Sequence, residues 1–130
     1  MKLSVVVPVY NEEKTVREIL DRVVRAPLPE GISELELVVV DDASTDSTAD
    51  VLRGYQLPGD VSRPTTMTVR RHEKNAGKAA ALATGFALAT GDVILVQDAD
   101  LEYDPQDYPV LLGPILAGKA DVVYGSRFLS

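Results

Sequence analysis

Three Val-rich stretches of this 130-residue chain, Leu3 to Val7, Leu35 to Val40 and Val93 to Gln97, are almost unbroken apolar runs. A strand that is apolar on both sides has to be covered on both sides, which is the condition of interior strands in a parallel sheet. Between the first two runs, Val16, Ile19, Leu20, Val23 and Val24 recur at i, i+3, i+4, i+7 and i+8, the stripe of an amphipathic helix. Asn11 reads as its N-cap, Glu12 and Glu13 suit its first turn, and Pro27 and Pro29 stop it after about Arg25. Pro8 is expected to end the first ladder. The expected fold class is therefore α/β, with about five parallel strands and helices on both faces.

The remaining elements follow the same alternation. After the second strand, the acidic turn of Asp41, Asp42, Ser44, Thr45 and Asp46 leads into a short helix carrying Val51, Leu52 and Tyr55. Pro58, Gly59 and Pro64 mark a loop, and Thr66 to Arg71 is polar enough for an outer strand. Asn75-Ala76-Gly77-Lys78 opens a third helix whose small residues, Ala79 to Ala89, predict close packing on the sheet, with Gly91 as its stop. Asp104-Pro105 begins a fourth helix that Pro109 and Gly113-Pro114 make irregular or late-starting, and Ala120 to Tyr124 is a fifth short strand.

Composition narrows the partners. The length suits one domain with one core, and 45% hydrophobic residues are enough to fill it. A net charge of -7 without any Lys/Arg run argues against nucleic acid and against an electrostatic membrane patch. With no cysteine there are no disulfides or thiolate metal sites, and one histidine gives a transition-metal site no support. Met1-Lys2 runs straight into a strand, unlike a signal peptide, and no apolar run reaches membrane-spanning length, so the expected location is the cytoplasm.

Ligands bind parallel sheets at the carboxyl ends of the strands, near the point where strand order reverses. Tyr10-Asn11-Glu12, Asp41-Asp42 and Asp98-Ala99-Asp100 all follow strands, so these three polar clusters are expected on one rim. In extended backbone Asp98 and Asp100 point the same way, and a hard divalent ion between them would relieve their repulsion. The plainer reading of that pair is a solvated acidic turn. Capping of the second helix equally accounts for Asp42, Ser44 and Asp46; strand-end packing accounts for Tyr10, and solvation accounts for Lys78. His72 has no role on this reading.

Taken together, V-V-V-P-V-Y-N-E-E, V-V-V-D-D-A-S-T-D, N-A-G-K, V-Q-D-A-D-L-E-Y and D-V-V-Y-G-S-R-F resemble the motifs of family 2 glycosyltransferases of the GT-A fold. Among these they are most similar to polyprenyl-phosphate sugar transferases of the dolichol-phosphate mannose or glucose synthase type. The resemblance implies a UDP- or GDP-sugar donor held on the Rossmann-like, nucleotide-binding half of the fold. It also implies a Mg²⁺ or Mn²⁺ cofactor and inverting transfer to a polyprenyl phosphate at the cytoplasmic face of the membrane. By the resemblance Pro8, Tyr10 and Glu12 border the nucleoside, with Val40 and Asp42 closing on base and ribose. Asp98, Ala99 and Asp100 line the sugar-nucleotide, Asp98 facing the ribose and metal and Asp100 ligating the ion directly. Glu102 offers the ion an oxygen where relatives often carry Gln, and Arg127 reaches a phosphate, which makes Asp98, Asp100 and Arg127 the implied catalytic residues.

On the same resemblance residues 1–130 are a single donor-binding unit without the acceptor half, and homo-oligomerisation is left open. Two other classes fit the pattern less completely. A receiver-like signalling domain would place its acidic pair after the first strand and a lysine after the fifth, whereas here the pair follows the second and Gly125-Ser126-Arg127 the fifth. A catalytically inactive nucleotide-binding or scaffolding module is the stronger alternative.

Overall fold

A computed structural model of the chain describes residues 1–99, 104–116 and 122–125, with backbone alone for 114–116 and 122–125. Strands β1 (Lys2–Val9), β2 (Glu34–Asp41), β3 (Thr65–Arg71), β4 (Val93–Gln97) and β5 (Val122–Gly125) form one parallel sheet in the order β3-β2-β1-β4-β5. Helices α1 (Val16–Val24), α2 (Thr48–Gly54), α3 (Lys78–Leu88) and α4 (Tyr108–Leu116) connect them. Strand order reverses between β1 and β4, so a crevice is expected beyond their carboxyl ends.

The period of two along each strand sorts residues between two cores. Leu3, Val5, Val7 and Val9 of β1, with Leu35, Leu37 and Val39 of β2, join the α1 stripe, Leu52, Tyr108 and Leu112 in the larger one. Val6, Val38 and Val40 face the other way and meet Ala81, Leu82 and Phe86 of α3 in the smaller one. The small residues of α3 let it approach closely, and a Cβ placed on Gly85 would lie 2.3 Å from Val6 Cγ1. As expected of an outer strand, β3 lies at the sheet edge and is mostly exposed.

Several expectations need correction. Pro8 does not end the first strand; it pairs in register with Val40. Val9 directs its carbonyl to the Asp42 N–H on β2, so Pro8 turns its missing donor toward β4, whose pairing with β1 ends at Val6. Asn11 is not the cap of α1, which begins at Val16 after Thr15. With φ of 52° Asn11 sits in the left-handed region, and its Oδ1 accepts from the backbone N–H of Thr45 at 2.8 Å. It thereby serves the β2–α2 loop. Gly91 does not stop α3, which ends at Leu88 with Ala89 as its C-cap; it is small because a Cβ there would lie 2.7 Å from the Ser4 backbone nitrogen. Asp104 caps a single 3-10 turn, Pro105–Asp107, and α4 starts only at Tyr108, the late start that its prolines predict.

One buried acid interrupts the apolar pattern. Glu36 faces the α3 side and accepts hydrogen bonds from the Ser4 hydroxyl at 2.6 Å and from the Thr90 N–H and hydroxyl at 2.8 Å each. Burial pushes its carboxyl up, but these donors outweigh burial and hold it below its ordinary value. The network fixes the connection from α3 to β4.

Gly85→Ala adds a methyl group where Val6 has no room to retreat, being fully buried at the centre of the sheet. It should lower the unfolding free energy by about 1–3 kcal/mol, read as a reduced urea midpoint. An unchanged midpoint would mean that α3 lifts from the sheet without cost.

Candidate functional site

The crevice at the strand-order reversal is a cleft of about 490 Å³. Pro8, Val9, Tyr10 and Glu12 line it from the end of β1, Asp42 from β2, Asp98 and Ala99 from β4, and Asn75, Gly77, Lys78 and Ala81 from the start of α3. Four separate sequence segments thus converge on one volume, because every β strand in a parallel sheet ends on the same rim. Tyr10, on this lining, is 45% exposed. Val40 is fully buried beside Ala81 in the smaller core, behind the lining. Asp100, Glu102 and Arg127 lie outside the described residues.

The adjacent carboxylates of Asp41 and Asp42 divide between the two faces of the sheet. Asp41 turns toward α2, where it accepts from the Ser44 N–H and hydroxyl and pairs with Arg71 at 2.7 Å. It is a fold residue. Asp42 turns toward α3, where Oδ1 accepts from His72 Nδ1 at 2.7 Å and from the Ala76 N–H at 2.9 Å, and Oδ2 accepts from the Gly77 N–H at 2.8 Å. Gly77, at φ of 96°, supplies the backbone turn that aims these amides. Burial pushes the Asp42 carboxyl up, yet the Ala76, His72 and Gly77 donors prevail and hold it below its ordinary value of 3.8. Asp42 therefore stays an ionised acceptor at the back of the cleft.

The β1 and β2 loops are laced together. The Asn11 N–H donates to Ser44 Oγ, the Glu12 N–H to Thr48 Oγ1, and the Ser47 N–H to the Glu13 carboxylate. Of the residues expected to cap α2, Asp46 does accept from the Thr48 N–H and hydroxyl, whereas Ser44 spends its hydroxyl on Asp41 and Asn11. Thr15 donates to the Ala99 carbonyl at 2.8 Å and so ties the start of α1 to the end of β4.

Lys78 was expected to be solvated, with a phosphate or acidic partner as the alternative that its place at a helix start suggests. It is 59% exposed, but its Nζ also lies 2.7 Å from Asp98 Oδ1, across the cleft. Position explains the pairing: a cation at the first residue of a helix faces the unfavourable end of the dipole, and a carboxylate opposite compensates it. His72 was given no role, yet it joins Asp42 to Thr84 of α3. Thr15 also belongs to the frame of the site, and Asn75 and Lys78, which only the N-A-G-K motif singled out in the sequence, belong to its lining.

Among the described residues the cleft lining offers carboxylate, amide and phenol oxygens and one ammonium, with no thiol or imidazole. That donor chemistry fits a hard divalent ion through Asp98, although among the described residues no three acidic, His or Cys side chains cluster as a complete ligand set.

Comparison with known proteins decides the family. The family model described as Glycosyl transferase family 2 matches residues 4–130. The chain belongs to that family. It is 36% identical over 129 residues to a dolichol-phosphate mannosyltransferase of Pyrococcus furiosus, covering 99% of this chain and 34% of the relative. It is 34% identical over 128 residues to a dodecaprenyl-phosphate galacturonate synthase of Rhizobium johnstonii, covering 98% and 36%. The chain thus spans about a third of the length of these relatives.

Solved structures agree. A mannosyltransferase from Pyrobaculum calidifontis in complex with GDP-Man and Mn²⁺ superimposes with a TM-score of 0.66 at 35% identity, covering 81% of this chain and 29% of that one. The glucosyl-3-phosphoglycerate synthase of Mycobacterium tuberculosis, solved with Mn²⁺ and UDP, gives 0.63 at 30% identity, covering 88% and 39%. The fold of this family 2 chain is accordingly the parallel α/β half seen in such glycosyltransferases. Among its described residues no helix is long and apolar enough to cross a membrane.

Asp42 generates a test by pH. Because its folded-state value is depressed, its stabilisation is present above the ordinary value of 3.8 and is lost as pH falls through the lower folded value. Asp42→Asn turns an amide NH₂ toward a backbone donor and should cost about 1–3 kcal/mol at pH 7. The gap between native and variant stability, measured by urea unfolding from pH 7 to pH 3, should narrow on acidification. A gap independent of pH would show that Asp42 is not held ionised.

Proposed function

We propose that residues 1–130 form the donor-binding unit of a longer GT-A glycosyltransferase, which takes a UDP- or GDP-sugar and delivers the sugar with inversion to a polyprenyl phosphate. The observation that carries this reading is the convergence of Pro8, Tyr10, Glu12, Asp42 and Asp98 on one cleft at the reversal of strand order. Matches to polyprenyl-phosphate sugar transferases over nearly the whole chain support the acceptor class.

In this reading Tyr10 offers its exposed ring to the nucleobase, and the ionised Asp42 carboxylate accepts from base or ribose. Asp98 faces the ribose and the metal, Asp100 and Glu102 complete the ligand set, and Arg127 takes two phosphate oxygens with its planar fork. Mg²⁺ or Mn²⁺, when bound, supplies neutralisation of the diphosphate leaving group. Lys78 adds positive charge to the lining, opposite Asp98. A lipid phosphate is already anionic, so transfer to this acceptor class requires no general base. The reaction then runs at the cytoplasmic face of the membrane, where such a lipid presents its head group.

Calorimetry with UDP-glucose or GDP-mannose should show binding with Mn²⁺ or Mg²⁺ and little in EDTA. Asp100→Asn should remove the metal effect and leave weak nucleoside affinity, whereas Tyr10→Ala should weaken nucleoside and nucleotide alike by about 1 kcal/mol with the metal effect intact. Undiminished binding in EDTA, or unchanged metal dependence in Asp100→Asn, would sink the assignment of the ion.

A further inference from the structure

His72 is the one histidine of the chain, and nothing in the proposed chemistry uses it. It lies just beyond β3, where its backbone N–H donates to the Asp41 carbonyl at 2.9 Å and brings the ring against the end of β2. The ring is largely enclosed, with 16% of the side chain exposed. Nδ1 is 2.7 Å from Asp42 Oδ1 and Nε2 is 2.8 Å from Thr84 Oγ1, so the ring spans the gap between the β2 rim and α3. Both of these walls face the cleft, through Asp42 on one side and Gly77, Lys78 and Ala81 on the other.

The donor and acceptor roles follow from Asp42. An ionised carboxylate only accepts, so Nδ1 carries a proton and donates it to Asp42, while Nε2 bonds the Thr84 hydroxyl. With Oδ1 engaged by His72 and the Ala76 N–H, and Oδ2 by the Gly77 N–H, three of the roughly four lone-pair sites of the carboxylate are filled. The unfilled one is on Oδ2. A carboxylate free to rotate would offer any of its lone pairs to the cleft; one held at three points offers a single acceptor in a fixed direction.

We propose that His72 is a positioning residue for nucleoside recognition. By donating from Nδ1 while anchored on Thr84, it sets the Asp42 carboxylate as a directed acceptor for an N–H or O–H group of the donor's nucleoside. The inference rests on the donor-site reading above and extends it to a residue that does not line the cleft. Preorganisation of this kind raises affinity by sparing the bound state the ordering of Asp42 and of the 75–77 turn.

A single histidine makes the test direct, because ¹⁵N-labelled imidazole gives one ring system to follow. The native chain should show a proton on Nδ1, and its ring signals should shift when UDP or GDP is added with diamagnetic Mg²⁺. His72→Phe keeps a ring but loses the donor, and should weaken nucleotide binding about tenfold. His72→Asn places an amide N–H near the position of Nδ1 and should recover most of that loss. Thermal unfolding of both variants separates the effect from general destabilisation, since a merely structural role would make affinity follow melting temperature without rescue by Asn. An Nε2–H tautomer, or nucleotide affinity in His72→Phe equal to native, would overturn the inference while leaving the donor site in place. Failure of the native chain to bind either nucleotide would overturn the donor-site reading and this inference with it.

Discussion

The structure depends on the double pairing of β1. This strand bonds to β2 along its whole length and to β4 over four residues, Leu3 to Val6, so it is the axis about which strand order reverses. Burial on both faces requires apolar side chains in each direction, which is why its centre reads Val-Val-Val. The shorter pairing with β4 leaves Pro8 and Val9 projecting past the end of β4, and that difference in length opens the cleft. A proline is tolerated there because the missing N–H faces the side that has no partner strand. Core and cleft are thus two consequences of one strand being longer than its neighbour.

The central strands and the face of α1 were legible because their information is local. Val93 to Gln97 is β4 to the residue, and the stripe from Val16 to Val24 is the buried face of α1. The loops were not legible in the same way, since their bonding partners are remote. Asn11 has the chemistry of a helix cap, and nothing nearby in sequence says that its side chain will serve Thr45 instead. Glu36 interrupts an apolar run, and its accommodation depends on Ser4 and on Thr90, which is 54 residues away. His72 was opaque for the same reason: its two partners, Asp42 and Thr84, lie 30 and 12 residues from it. The cleft lining was half legible. The strand-end rule pointed to Tyr10, Glu12, Asp42 and Asp98, while Asn75, Gly77 and Lys78 enter from a helix start that carries no such rule.

The rim is rich in acid, and the fold compensates those charges one at a time. Asp41 is met by Arg71, Asp42 by His72 and two backbone amides, and Asp98 by Lys78. These compensations differ in kind. Asp41 and Asp42 are 1% and 3% exposed and are bonded at several points, so each is part of the frame. Among the described residues Asp98 is met by an ammonium that is mostly in water, and a pair of that sort contributes little to stability. Among the described residues, rigidity is therefore concentrated at the Asp42 side of the cleft.

The division of the two neighbouring aspartates across the sheet has a consequence for how this sequence can change over time. Asp41 and Asp42 are chemically the same residue, and only the parity of the strand makes one a brace for the β2–α2 loop and the other part of the cleft. Substitutions along β2 act one position at a time and leave that parity alone. A one-residue insertion or deletion between Leu35 and Val40 would instead move every later side chain to the opposite face, turning the core outward and exchanging the two carboxylates. Length variation among descendants of this chain is therefore confined to loops such as 57–64, and the strand that leads to the doublet evolves only by replacement.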